Sequence, residues 1–320
     1  MADLPPERLH TGPPFTYVGV DVFGPWPVVF RRTRGGQAQS KRWAMLFCCM
    51  TSRAVHIEII ESVDTSSCIN ALRRFFAIWG PAKQIRSDCG TNFVAAAKEL
   101  GISQRQPDVT VQNFLIKQGC SWVFNPPHAS HMGGSWERMI GLSRRDLDAI
   151  LLQENSQLTH DILCTLMAEV VTIINARSLV PVSTDSESPF ILSPAMILTQ
   201  KVWVAPPNGD FTDKDLHSRQ WRQVQVLADR FWRRWRQEFL LTLQARRKWR
   251  DSQRDRKEGD IVLLKDSQAA RNTWPMAKIT AVYPGRDSKA RKVELRTSEQ
   301  GSAKVFLRPV SEVVLLLSED

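Results

Sequence analysis

The order of the first apolar segments constrains this chain most. Residues 15–22, 42–49 and 54–60 are short runs rich in β-branched, aromatic and other apolar side chains. Turn-formers separate them at Gly24-Pro25, Arg34-Gly35-Gly36 and Thr51-Ser52, so each run reads as a strand. Asp64-Thr65-Ser66-Ser67 then offers N-cap side chains, and Ile69, Leu72, Phe75, Phe76 and Trp79 recur at helical spacing up to Gly80-Pro81. A brief strand over 83–87 follows. Strand, strand, strand, helix, strand, helix predicts an α/β fold.

Beyond it, residues from Thr91 to about Leu100 read as helix, and the polar segment 101–110 as an insertion or loop. A helix near 111–118, a strand over 121–124 and a loop over 125–134 come next. Ser135 is expected to cap a long helix from Trp136 to about Gln153, and 159–176 is a second helix with an apolar stripe. Residues 181–207 are punctuated by prolines and read as extended. Residues from Leu216 to about Trp249 form a basic, Trp-rich helix. Leu227, Phe231, Trp232, Trp235, Phe239 and Leu243 share one broad face of it, with Arg230, Arg233 and Arg234 largely opposite. Five short apolar runs between Asp260 and Leu317 predict a small β-barrel.

Three carboxylates stand out against this pattern. Asp21 lies mid-strand between Val20 and Val22, where a charge needs a partner, and a divalent cation is a good one. Asp88 follows the strand over 83–87, with Gly90 allowing a sharp turn just after it. Glu137 is placed in the first turn of the helix introduced by Gly133-Gly134-Ser135. Singly, each has an ordinary explanation: a salt bridge for a strand Asp, the helix dipole for Glu137. Together, two strand carboxylates and one helix carboxylate can converge as oxygen ligands for hard cations.

Three segments around these acids resemble the integrase core of LTR retrotransposons: Thr16-Tyr17-Val18-Gly19-Val20-Asp21-Val22-Phe23-Gly24-Pro25, Ile85-Arg86-Ser87-Asp88-Cys89-Gly90-Thr91-Asn92-Phe93, and the stretch from Asn125-Pro126-Pro127-His128 to Gly133-Gly134-Ser135-Trp136-Glu137-Arg138. The pattern is most similar to the Pao/BEL group. Lys257-Glu258-Gly259-Asp260-Ile261-Val262-Leu263-Leu264 and Phe306-Leu307-Arg308-Pro309-Val310 resemble the SH3-like barrel that follows that core. The resemblance implies an RNase H-like mixed sheet with flanking helices, followed by the basic helix and the SH3-like β-barrel. The expected organisation is an N-terminal extension over 1–14, the catalytic core over 15–200, a linker and basic helix over 201–258, and the barrel over 259–320.

It also implies an enzyme, a polynucleotidyl transferase that processes DNA 3′ ends and joins them to target DNA. The implied triad is Asp21, Asp88 and Glu137, holding two Mg²⁺ or Mn²⁺ ions, with DNA and further copies of the chain as partners. The spacer of 48 residues between Asp88 and Glu137 is longer than in retroviral members, and residues 101–110 absorb the difference. Arg144 falls on the helix face of Glu137, beside Arg145, as a grip for the DNA end; its competing role is an ion pair with Asp148. Position 141, often basic in the family, is glycine here. The family's zinc-binding N-terminal domain, built on His and Cys pairs, has no counterpart, so a polyprotein fragment or a truncated copy is expected.

Charge agrees with a polyanionic partner. Net charge is +10, and residues 211–320 carry 24 Lys and Arg against 15 Asp and Glu. Arg230, Arg233, Arg234, Arg246, Arg247 and Arg250 are the candidate phosphate contacts. Trp232, Trp235 and Trp249 have two readings, stacking on bases or packing in a core. His56, His128 and His131 read as structural hydrogen-bonding residues. The six cysteines form no Cys-x-x-Cys pair and read as reduced, buried small side chains. No apolar run approaches the roughly 20 residues of a membrane span and no secretory signal opens the chain, so it is expected to stay inside the cell. Basic runs such as Arg246-Arg247-Lys248 serve nuclear import or bind nucleic acid, and a protein made in the cytoplasm and working in the nucleus is expected. Two alternatives stand beside the integrase: an RNase H-type nuclease, and a host-captured, integrase-derived nucleic-acid-binding protein without transposition activity. The nuclease would carry a Glu on the first helix, which has none.

Overall fold

The computed structural model describes residues 6–33, 36–87, 119–124, 130–152, 158–181, 191–201, 206–217, 219–244, 254–299 and 302–318, some of them, 130–138 included, as backbone alone. The chain divides into two compact units, residues 1–175 with 207–231, and residues 176–206 with 232–320.

In the first unit β1 (Tyr17–Thr33), β2 (Gly36–Cys49), β3 (Val55–Ile60), β4 (Gln84–Ser87) and β5 (Ser121–Phe124) form one sheet in the order β3-β2-β1-β4-β5. The first three strands are an antiparallel meander, while β4 pairs parallel with β1 and β5 parallel with β4. This is the mixed sheet of an RNase H-like fold. Helices α1 (Thr65–Trp79), α2 (Ser130–Leu151) and α3 (His160–Asn175) flank it.

Side-chain alternation decides which helix covers which face. Val20, Phe47 and His56 are register partners across β1, β2 and β3, so they share a face. Phe75 of α1 stacks on Phe47 with ring centroids 4.1 Å apart, which places α1 there. Asp64 caps α1 by accepting the Ser67 N–H at 2.7 Å, as its sequence predicts. Asp21, Leu46 and Ile57 form the neighbouring row and point to the opposite face.

Gly24-Pro25, expected as a turn, is instead a bulge within β1. Phe23 pairs with Ala44 and Trp26 with Arg42, so β1 takes three steps where β2 takes two. Gly24 has φ +111°, and a Cβ there would come within 3.2 Å of the Arg42 carbonyl oxygen. Pro25 needs no ladder partner in a bulge because it has no N–H to donate. The extra residue reverses the alternation: Trp26, an odd number of positions after Asp21, now lies on the face of Asp21 and Phe23. The Phe23 and Trp26 rings meet edge to face at 5.5 Å. Both remaining helices reach this face. Trp26 Nε1 donates to Asp148 Oδ1 of α2 at 2.9 Å, and Arg42 Nε donates to His160 Nδ1 of α3 at 3.3 Å.

Helix α2 begins at Ser130, earlier than its sequence suggests, and takes in His131, Gly133 and Gly134. Glycine costs roughly 1 kcal/mol against alanine in a helix interior, less than burial of one aliphatic side chain contributes. The face made by Ile140, Leu147 and Leu151 is buried.

In the second unit β8 (Ile261–Leu264), β9 (Met276–Pro284), β10 (Ala290–Glu299), β11 (Ser302–Pro309) and β12 (Val313–Leu317) form an antiparallel sheet in the order β11-β10-β9-β8-β12. A 3₁₀ turn at Val310–Glu312 precedes the last strand, and the arrangement is compatible with an SH3-like domain. Val262 joins Ala277, Ile279, Val293, Leu295 and Val313 in one core, while Leu263 packs with Leu240 and Val314 in another. β8 is buried on both faces, which is why it reads as a continuous apolar run. The proline-rich stretch before this unit's sheet, expected to be extended, holds the short strands β6 (Val180–Pro181) and β7 (Ile191–Leu192) and helix α4 (Pro194–Thr199). Ser193 caps α4 from its side chain and Pro194 occupies the first turn, where a missing N–H costs nothing.

Helix α5 (Gln220–Leu243) contributes its second half to this unit. Trp235 stacks on Phe239 at 5.0 Å, and Trp274 meets Trp232, Trp235 and Phe239 edge-on at 5.2, 6.0 and 5.4 Å. Trp235→Ala should therefore cost about 3–5 kcal/mol, the range for emptying a buried aromatic site. Urea denaturation followed by near-UV circular dichroism measures it; a loss well under about 1 kcal/mol would contradict this core.

Candidate active site

Asp21 sits on β1 between the fully buried Val20 and Val22, half-buried on the face that carries α2 and α3. Its Oδ1 accepts the backbone N–H of Val22 at 2.7 Å. The neighbouring strand β4 is in parallel register, Tyr17 with Gln84 through Val20 with Ser87. Ser87 is buried, and its hydroxyl accepts the indole N–H of Trp122 on β5 at 3.0 Å. The next residue on each strand after that last pair is an aspartate, Asp21 on β1 and Asp88 after β4. Asp88 lies outside the described residues.

Glu137 lies about two turns inside α2, not in its first turn, because the helix starts at Ser130. Among the described residues no group of three His, Cys, Asp or Glu side chains converges on a metal position; within the triad that set includes only the Asp21 side chain.

Arg144 is half exposed and makes an ion pair with Asp148 at 3.6 Å, the competing role its sequence spacing suggested. Exposed pairs of this kind contribute little, so a phosphate can displace the partner. Arg145 Nε donates to the Gly141 carbonyl oxygen at 3.3 Å. On α5, Arg233 and Arg234 are exposed, and Arg230 pairs with Asp213 at 3.0 Å. Arg246, Arg247 and Arg250 lie outside the described residues, as do Trp249 and His128. Trp232 and Trp235 are buried, so they belong to the core and offer no stacking surface. Arg236, passed over in the sequence, is buried beside them and donates to the backbone oxygens of Leu264, at 2.8 Å, and Asp266. Its signal was a charge inside an apolar face, four residues after Trp232 and three before Phe239.

The second residue missed is Arg42, which is buried on β2 and donates to Glu61, Ser40 and the Lys41 carbonyl as well as to His160. Nothing in a strand pattern distinguishes such an arginine from an exposed one. An open cavity of about 260 Å³ is lined by Glu7, His10, Tyr17, Lys83, Gln84 and Ser121. It lies at the starts of β1, β4 and β5, whereas Asp21 lies further along β1, past the last residue paired with β4. In open sheets ligands collect at the carboxyl ends of parallel strands, the end opposite this cavity, so the cavity is set apart from Asp21.

The described cysteines behave as small, mostly buried side chains; Cys89 lies outside the described residues. Cys48, Cys49, Cys68 and Cys120 are buried free thiols, Cys164 is half-buried, and burial pushes the Cys68 thiol up to about 12 and that of Cys120 up to about 11. His56 is structural: its Nε2 lies 2.8 Å from Glu58 Oε1, and Glu58 also pairs with Arg74.

Residues 219–316 match a family described as a family of unknown function, DUF5641. The matched segment joins α5 to the sheet of the second unit. No curated protein matches the chain. Among solved structures the chain is similar to one in the cryo-EM structure of a simian T-cell lymphotropic virus intasome in complex with the PP2A regulatory subunit B56 gamma. Identity is 11%, the match covers 100% of this chain and 85% of the other, and the TM-score is 0.41. A likeness that distant leaves the sheet topology above to define the fold.

Glu58 offers a pH test. Burial raises its carboxyl, but hydrogen bonds from His56 and Arg74 and the Arg74 charge lower it further, and the net value falls below the ordinary one. Its contribution to stability is thus present above the unfolded value of about 4.3 and lost as pH falls through the lower folded value. Glu58→Gln should flatten the loss of stability below about pH 4. Parallel curves for variant and wild type would show that the trio contributes nothing.

Proposed function

We propose that this chain is a retroelement integrase of the Pao/BEL kind, a polynucleotidyl transferase acting on DNA through Asp21, Asp88 and Glu137. The reading is carried by the parallel register of β1 and β4, which ends at the pair after which both strands continue into an aspartate. Helix α2, with Glu137, packs on β1 on the face to which Asp21 points.

The donor set is all carboxylate oxygen, which suits Mg²⁺ or Mn²⁺ and disfavours softer metals. Asp21, half-buried between valines, is held ready to ligate by the strand on which it lies, so little reorganisation is needed. Asp21, Asp88 and Glu137 would together hold the ions. When bound, the ions supply activation of the attacking hydroxyl and charge stabilisation at the departing 3′ oxygen. The chain's own part is positioning, since in-line displacement at phosphorus needs alignment more than acid–base side chains. Arg144 and Arg145 on α2 would hold the DNA end, and Arg233 and Arg234 on α5 would contact DNA phosphates. DNA joining in pairs calls for a second copy of the chain, and for work in the nucleus.

Asp21→Asn should abolish joining of a labelled DNA end in Mg²⁺ or Mn²⁺ and leave DNA affinity unchanged; joining retained by the variant would end the proposal. Replacing Arg233 and Arg234 together with alanine should lower the slope of log affinity against log salt by about 0.9 for each phosphate no longer neutralised. An unchanged slope in a DNA-binding titration would remove α5 from the interface.

A further inference from the structure

We infer that Trp26 and Asp148 are the positioning pair that sets where α2 lies along β1, and so brings Glu137 level with Asp21. The inference rests on the proposed triad but uses a different part of the structure. Trp26 Nε1 donates to Asp148 Oδ1 at 2.9 Å, in a half-buried site where a charged acceptor makes the bond stronger than a neutral one. From this fixed point the two elements can be counted back together. Glu137 precedes Asp148 by eleven residues, just over three helical turns, so the two positions differ by only about 20° around α2 and by about 16 Å along it. On the strand, Asp21 and Trp26 are paired with Leu46 and Arg42, four residues apart on β2, which is about 13 Å. The two counts differ by about 3 Å, or half a helical turn. Both counts run toward the N-terminus from the joining hydrogen bond, so the proposed alignment has α2 running alongside β1 in the same sense.

The bulge at Gly24-Pro25 is what makes this bond available. Without the added residue Trp26 would project toward α1, on the face of Val20 and Phe47, and could not meet α2. Asp148 also carries the ion pair to Arg144, but through its other oxygen, so the two contacts can be separated by mutation. Trp26→Phe deletes the N–H and keeps an aromatic ring. Asp148→Ala removes the acceptor at a partly exposed position, where folding tolerates change. Asp148→Asn keeps the oxygen facing Trp26 while losing the charge that holds Arg144.

Each variant is compared with the wild-type chain by Mn²⁺ binding in electron paramagnetic resonance, joining kinetics, and hydrogen exchange of the α2 amides. Loss of one hydrogen bond to a charged group predicts about tenfold weaker Mn²⁺ binding and about tenfold faster exchange in the first turns of α2 for Trp26→Phe and Asp148→Ala. The turnover rate should fall, exchange in α1 should match wild type, and Asp148→Asn, which keeps a weaker uncharged acceptor for Trp26, should fall between wild type and Asp148→Ala in Mn²⁺ binding and α2 exchange. Wild-type behaviour of Trp26→Phe and Asp148→Ala would overturn the inference, as would equal damage from Asp148→Asn and Asp148→Ala, which would place the effect in the Arg144 ion pair. A wild-type chain that binds no Mn²⁺ would sink the triad instead. Exchange along α2 would then still decide whether the pair sets the helix position.

Discussion

A β-strand sends successive side chains to opposite faces, and the first unit depends on one place where that rule is interrupted. Asp21 and Trp26 are separated by an odd number of positions, so a regular strand would put them back to back. The bulge at Gly24-Pro25 places them on one face, with Phe23 between them and α2 above. The arrangement leaves the other face free for the apolar row Val20 and Phe47 against Phe75 of α1. One inserted residue thus lets a single strand serve both the core under α1 and the contact of Trp26 with α2 on the face of Asp21.

The second unit solves a different problem with α5. A small sheet buries too little surface alone, and β8 is apolar on both sides. The aromatic row of α5, with Trp274 from the loop before β9, covers the second side. Arg236 lies inside this cover because its guanidinium reaches the backbone oxygens of Leu264 and Asp266. The same helix keeps Arg233 and Arg234 in solvent, so one element supplies both packing and positive charge. The match to DUF5641, which begins at 219, spans the helix and sheet together.

The strands around Asp21 and the helix over 65–79 were legible because each satisfies a local rule: alternation, turn residues, or a capping side chain. Gly24-Pro25 was misread because glycine and proline mark both turns and bulges, and only the partner strand distinguishes them. The start of α2 was misread for a related reason, since Gly133 and Gly134 are poor helix formers whose cost is overcome by packing. Segment 194–199 hid its helix behind prolines, although Pro194 sits where a helix accepts one. Arg144 and Asp148 were paired correctly from their spacing, because neighbours four apart on a helix meet whatever else surrounds them.

By itself the sequence determined the order of the first three strands, α1 and β4, the capping of α1, the aromatic face of α5 and the three acids worth examining, since these follow from spacing within one element; the helices expected at 91–100 and 111–118 lie outside the described residues. Only the tertiary structure decided that β4 lies parallel beside β1 in the register that ends at Val20 and Ser87, that Trp26 reaches Asp148, and that Arg42 and Arg236 are buried. Those outcomes depend on contacts between residues far apart in the chain, and local propensity holds no information about which distant partner a side chain will meet.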